Sequence, residues 1–273
     1  MKPVRLAILD LYDNTPNQGM RCIKEIVSDF GEQIDWQVFD VRGAGELPDL
    51  SFDIYISSGG PGSPLEGDGQ WDVQYFKWLN ELWQWNRRPS APKKFAFFIC
   101  HSFQMAVRHF GLAEVNKRYS KSFGTFICHQ TDEGVSDPLL CALPNPFYIA
   151  DFRDYQVIQP NVERFDQMGA KILALEKIRP HVPRERAVMA IRFSEQMVGT
   201  QFHPEADSDG MVRHFLDPGR RRQIIAEHSE RKYLRMMDHL SDPDKISLTH
   251  ALVLPGFIGR SIRAVRQTAV AIS

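Results

Sequence analysis

A thiol, an imidazole and a carboxylate in the right places can perform acyl transfer, and this chain holds all three in suggestive settings. Cys100 directly follows the apolar run Phe95 to Ile99 and precedes a segment in which Phe103, Ala106, Val107 and Phe110 recur at helical spacing. It therefore stands at a turn from a buried strand into a helix, where the helix dipole and unpaired N–H groups favour a thiolate. A lone cysteine is as often a small buried hydrophobe, so this stretch alone leaves both readings open. His203 closes the short strand pattern of Val198 to Phe202, and Glu205 lies two residues on. A thiol nucleophile needs a base within hydrogen-bond reach, and the base needs a third group to hold its tautomer. One loop carrying His203 and Glu205 can supply both. The chain has nine histidines, so the conjunction with Cys100 carries more weight than either piece.

The elements that must position these groups read as alternating strands and helices. Val4 to Leu9 is a first buried strand, Pro16 to Phe30 a helix with Ile23, Ile26 and Val27 on its inner face, Ile34 to Val41 a second strand and Asp53 to Ile56 a third. Gly69 to Arg87 is a tryptophan-rich helix whose aromatics predict core packing, since no basic residues are interleaved with them. Gly111 stands where a left-handed cap would end the helix after Cys100. Strand, helix, strand in repetition predicts a parallel sheet covered on both faces, with ligands at the carboxyl ends of its strands. After Gly111 come shorter strands at Ser122 to His129, Phe147 to Phe152, Lys171 to Leu175 and Ala187 to Phe193. Helical apolar spacing resumes over Arg220 to Leu240 and Phe257 to Ile272, the latter as a stripe through Ile258, Ile262, Val265, Ala269 and Ile272 that packs on the core or on a second subunit.

The loop Ser57 to Ser63 follows the third strand, so it opens on the same sheet edge as Cys100. Its glycines permit an anion-binding nest. A phosphate loop would end in Lys-Ser or Lys-Thr, which is absent. The pyrophosphatase loop of ATP-dependent ligases resembles Ser-Gly-Gly-x-Asp-Ser, yet Gly62 occupies its aspartate position. An oxyanion hole and an ordinary turn remain.

Ser58-Gly59-Gly60-Pro61, then Ile99-Cys100 with Gln104 four residues later, then Gln201-Phe202-His203-Pro204-Glu205, together resemble the class I (triad-type) glutamine amidotransferase family, over roughly residues 4 to 208. The likeness extends to the glutaminase domain of GMP synthase. It implies an α/β fold, an open, mostly parallel, flavodoxin-like sheet flanked by helices over 1–208, with a helical C-terminal extension over 209–273. It implies a Cys100, His203 and Glu205 triad, an oxyanion hole from the N–H groups of Gly60 and His101, and Gln104 and Gly124 on the substrate side. Two positions depart from the family's elbow, which has glycine two residues before and two after the nucleophile. Here these are Phe98 and Ser102. Lys121-Ser122-Phe123, before Gly124, also lacks the acidic residue of the guanylate-synthesising branch.

Composition bounds the partners. A net charge of −1 predicts no polyanion partner, and Arg220 to Arg222 is balanced by nearby acids, so no nucleic-acid site is expected. Four cysteines without a C-x-x-C pair predict a reducing compartment. Cys128 and His129 lack companion ligands, so no metal is expected, and no cofactor is called for. Met1 to Asp10 passes into a strand pattern without a signal-type stretch, and no window is apolar enough to span a membrane, which gives a cytoplasmic expectation. L-glutamine or a related γ-glutamyl amide is the expected substrate. The tail has no room for a second catalytic domain, so an ammonia-accepting synthase subunit would be a separate chain, and a homo-oligomer through the C-terminal helices stays open. A γ-glutamyl or amide hydrolase, an acyltransferase on the same three residues, and a non-catalytic binding protein stay open as alternatives.

Overall fold

Apolar runs too short for amphipathic helices form strands here, and segments with apolar residues at spacings of three and four form helices around them. The computed structural model describes residues 2–13, 15 and 17–272. The first half comprises β1 (Val4–Asp10), α1 (Gln18–Ser28), β2 (Ile34–Asp40), β3 (Ile54–Ser57), α2 (Trp71–Arg87), β4 (Phe95–Ile99) and α3 (His101–Phe110). Then come β5 (Glu114–Gln130), α4 (Asp132–Ser136), β6 (Phe147–Ile158), α5 (Val162–Met168), β7 (Lys171–Glu176), β8 (Val188–Arg192) and β9 (Met197–Thr200). Five helices follow: α6 (Ser208–Leu216), α7 (Pro218–Glu227), α8 (Glu230–Ser241), α9 (Leu248–Leu252) and α10 (Leu254–Ile272). Pro16, where the sequence starts the first helix, and the side chains of Ala269 and Ile272 lie outside the described residues.

The nine strands form one sheet in the order β2-β1-β3-β4-β9-β8-β7-β5-β6. From β2 to β9 all neighbours run parallel, and from β9 to β6 all run antiparallel. The parallel half has the predicted architecture, flavodoxin-like and covered on both faces. Its register decides the site. Ser57 is opposite Phe98 and Ile99 is opposite Thr200, so the loop after β3, the residue after β4 and the loop after β9 leave the sheet at one edge.

Alternation along these strands splits the core in two. Leu6, Ile8 and Phe97 face α1 and α10 through Ile23, Ile26, Val27, Phe257 and Ile258, while Ala7, Leu9 and Phe98 face α2 and α3 through Leu79, Leu82, Phe103 and Val107. Both faces are covered, which is why β1 reads as a continuous apolar run. Each fully buried Leu, Ile or Phe contributes about 1.5–3 kcal/mol. The stripe on α10 thus has its partner within the chain: Phe257 meets Phe97 edge to face at 5.2 Å, and Ile258 and Ile262 are buried.

Several features differ from the sequence expectation. β5 begins at Glu114 and β6 ends at Ile158, because residues 114–117 are held as strand by pairing with residues 155–158, after which the register shifts between Lys117 and Ser122. Arg220 to Leu240 is two helices. Ser229 caps the second by accepting from the N–H of Lys232 at 3.2 Å, while His228 stacks on Phe123 at 5.0 Å. Lastly, α6 to α8 pack Met211, Phe215, Ile224, Tyr233 and Met236 into a third cluster over β6.

Candidate active site

The elbow after β4 is held by backbone. Cys100 has φ 49° and ψ −95°, a conformation that non-glycine residues rarely adopt and that costs about 1–3 kcal/mol. Ser102 over-determines it. Its hydroxyl accepts from the Ile99 N–H at 2.9 Å and donates to the Ser57 carbonyl at 2.8 Å, tying the elbow to β3. The close approach that glycine at position 98 would permit is supplied from the next strand. A Cβ on Gly199 of β9 would lie 2.9 Å from the Phe98 carbonyl oxygen and 2.9 Å from the Phe103 ring, and Phe98 turns away to meet Phe193 at 5.8 Å. The crowding is solved with a different set of side chains.

The imidazole comes from the loop after β9. Thr200 donates to the Phe202 carbonyl at 2.9 Å, and the His203 N–H donates to the Ala150 carbonyl at 3.0 Å, fixing the loop between β9 and β6. His203 Nδ1 lies 2.7 Å from Glu205 Oε1, and Glu205 is fully buried. That contact leaves Nε2 for the thiol. Burial pushes the imidazole's pKa down, but the charge of Glu205 and the facing Cys100 sulfur together outweigh it and hold the group well above the usual histidine range.

The loop Ser57 to Ser63 closes over this pair. A Cβ on Gly60 would lie 2.6 Å from the Leu11 carbonyl oxygen, and one on Gly59 would meet the Tyr12 hydroxyl at 2.9 Å and His203 Cε1 at 3.0 Å. Only glycine allows this approach. Arg42 braces the loop, donating to the carbonyls of Pro61 at 2.7 Å and Leu11 at 3.3 Å while lying 4.8 Å over Trp71. His101 is the first residue of α3, so its N–H has no acceptor one turn back. Its side chain points inward beside Trp71, and burial together with the Arg42 charge lowers its pKa to about 3, so it stays neutral.

Cys100, His203, Glu205 and Gly60 share one cavity of about 290 Å³ with Tyr12 and Phe152. Gln104 and Gly124 do not line it. Gln104 Nε2 donates to Gln201 Oε1 at 2.9 Å, and Gln201 Nε2 in turn lies 3.7 Å from the Cys100 sulfur, so Gln104 reaches the thiol through a second amide. Gly124 has φ 121° and lies beneath α8, where a Cβ would sit 2.5 Å from the Met236 sulfur. Sequence reasoning missed two residues at the site, Gln201 at the buried side of the thiol and Tyr12 in the cavity wall. Gln201 stands inside the quoted motif, but its reach to the thiol depends on the β4–β9 register. Tyr12 follows β1, its N–H bound by Asp10 at 2.8 Å, and only the folded loop brings its hydroxyl to Gly59.

Among the described residues no group of three His, Cys, Asp or Glu is placed to hold a metal ion. Cys128 is fully buried, which pushes its thiol pKa up and leaves it inert. No helix of the described residues is long and apolar enough to cross a membrane.

Residues 23–218 match the family model described as glutamine amidotransferase class-I. A solved glutamine amidotransferase from Thermotoga maritima superposes with a TM-score of 0.68 at 14% identity, covering 95% of this chain and 98% of that one. A Thermoplasma acidophilum protein described as a GMP synthase subunit gives 0.57 at 15% identity, covering 97% of this chain and 96% of that one. The homoserine O-acetyltransferase of Synechococcus elongatus is 26% identical over 173 residues, 62% of this chain and 52% of that protein, so the chain spans about half the length of the curated relatives it matches.

Proposed function

The chain belongs to the class-I glutamine amidotransferase family, and from that premise we propose that it hydrolyses a side-chain amide, that of L-glutamine first, through a thioester on Cys100, releasing glutamate and ammonia. The observation that carries this reading is the strained Cys100 elbow opening on the same cavity as an imidazole held 2.7 Å from a buried carboxylate. The sulfur attacks the amide carbon, and the N–H groups of Gly60 and His101 hold the oxygen as it gains charge. His203 takes the thiol proton and delivers it to the leaving nitrogen as the C–N bond breaks, then activates the water that cleaves the C–S bond. Glu205 keeps the imidazole oriented and stabilises its charged form. Gln201 and Gln104 hold the sulfur in place. The ammonia passes to a synthase partner, in the cytoplasm.

A second reading has its own support in the match to the homoserine O-acetyltransferases. In it the thioester carries an acyl group from a donor and is resolved by a substrate hydroxyl instead of water. One experiment separates the two. Incubation with L-glutamine is expected to release ammonia and to trap a glutamyl adduct on Cys100 by mass spectrometry, and Cys100→Ala is expected to abolish both. Full ammonia release by Cys100→Ala would sink the assignment. An acetyl adduct from acetyl-CoA, with none from glutamine, would favour the second reading.

A further inference from the structure

A second cavity of about 260 Å³ abuts the catalytic one and shares Gln18, Phe152 and Met211 with it. Its inner wall is Phe123, Phe152, Met211, Phe215 and Ile224. The aromatic rings form a continuous path from the catalytic imidazole: His203 to Phe152 at 6.1 Å, Phe152 to Phe123 at 5.1 Å, and Phe123 to Phe215 at 6.1 Å. At its rim Arg220 donates to Gln223 at 3.3 Å and Gln223 to Glu227 at 2.8 Å, with Gln18 and His214 completing the polar edge.

We propose that this cavity receives an apolar substituent on the leaving nitrogen, so that the substrate class is γ-glutamyl amides of apolar or aromatic primary amines, a proposal that rests on the amide-hydrolase reading. The leaving nitrogen must lie beside the group that protonates it, which is His203. The aromatic path starts at His203, so it opens on the leaving-group side. Ammonia fills none of this space. Taken together the two cavities reach the size range of small-molecule sites, about 300–1,000 Å³, which neither reaches alone. The chemistry balances as for glutamine: the C–S bond forms, the C–N bond breaks, the proton from His203 goes to the amine nitrogen, and water then releases glutamate.

The test uses full-length Cys100→Ala protein, with calorimetric binding of L-glutamine and of γ-L-glutamylbenzylamide. The benzylamide is expected to bind at least tenfold tighter, and adding Ile224→Trp, which fills the second cavity alone, is expected to bring it to the level of glutamine. Equal binding, or none, overturns the proposal, as does a preference that persists with Ile224→Trp. Turnover by the unaltered protein separates the two layers. Hydrolysis of glutamine without a benzylamide preference removes the second cavity and leaves the hydrolase reading standing. A binding preference without release of either amine removes the hydrolase reading and leaves the cavity.

Discussion

The wall of the candidate cavity that carries Cys100 and Gly60 is fixed by backbone, whereas the helices that cover its other side, at Met211, are held by side-chain packing. On the first, a left-handed cysteine, a serine bridging two strands and a glycine pressed on a carbonyl leave no freedom. On the second, helices α6 to α8 rest on β6 through methionines and aromatics, with charged outer faces. The difference teaches where each property resides. Groups that meet to within a hydrogen bond follow ladder-bound strand ends, and the surface proposed to admit the leaving group is packed from replaceable side chains.

His203→Ala should break the first wall's chemistry with the largest effect, lowering kcat for amide hydrolysis by about 10³-fold or more while the melting temperature stays near that of the unaltered protein. Next is Gly60→Ala. The new methyl would lie 2.6 Å from the Leu11 carbonyl oxygen and must displace the loop, so kcat should fall about 10²-fold or more with KM less affected.

Glu205→Gln sharpens the picture through pH. The raised pKa of His203 means that the folded state holds a proton the unfolded chain releases above about pH 6.5. That stability is fully present below this value and is lost as pH rises through the raised one. Removing the carboxylate takes away the larger of the two charges that raise the imidazole's pKa, so an NMR titration of the imidazole should move to lower pH and the alkaline fall in stability should shrink and move with it. An unmoved titration would mean that Glu205 does not set the imidazole's charge.

The smallest effect on chemistry belongs to the second wall. Met236→Ala opens a void over Gly124 and should cost about 2–5 kcal/mol of stability, read as a lower melting temperature. With glutamine kcat should hold, because no backbone of the elbow moves. A collapse of kcat comparable to that of Gly60→Ala would erase the distinction between the walls.

Much of the parallel half was legible because its signals are local. The apolar run before Cys100 and the helical spacing after it need no knowledge of neighbours, and the resemblance of three short motifs named the family. Phe98 was legible only as a departure. Its resolution by Gly199 requires knowing that β4 and β9 are adjacent, although β4 ends at Ile99 and β9 begins only at Met197. The same holds for Gln201 at the thiol and for Tyr12 between Gly59 and Gly19. The break at Ser229 was hidden because neither Gly nor Pro marks it.

By itself the sequence determined which segments are strands and helices in the parallel half and which residue types stand at their ends, since hydrophobic periodicity and turn chemistry act over a few residues. Tertiary structure alone decided that α10 closes the face of the sheet it shares with α1, that Gln104 touches the thiol only through Gln201, and that an aromatic cavity opens beside the imidazole. These depend on strand order and register, which pair residues far apart in the chain and leave no trace in either partner's local pattern.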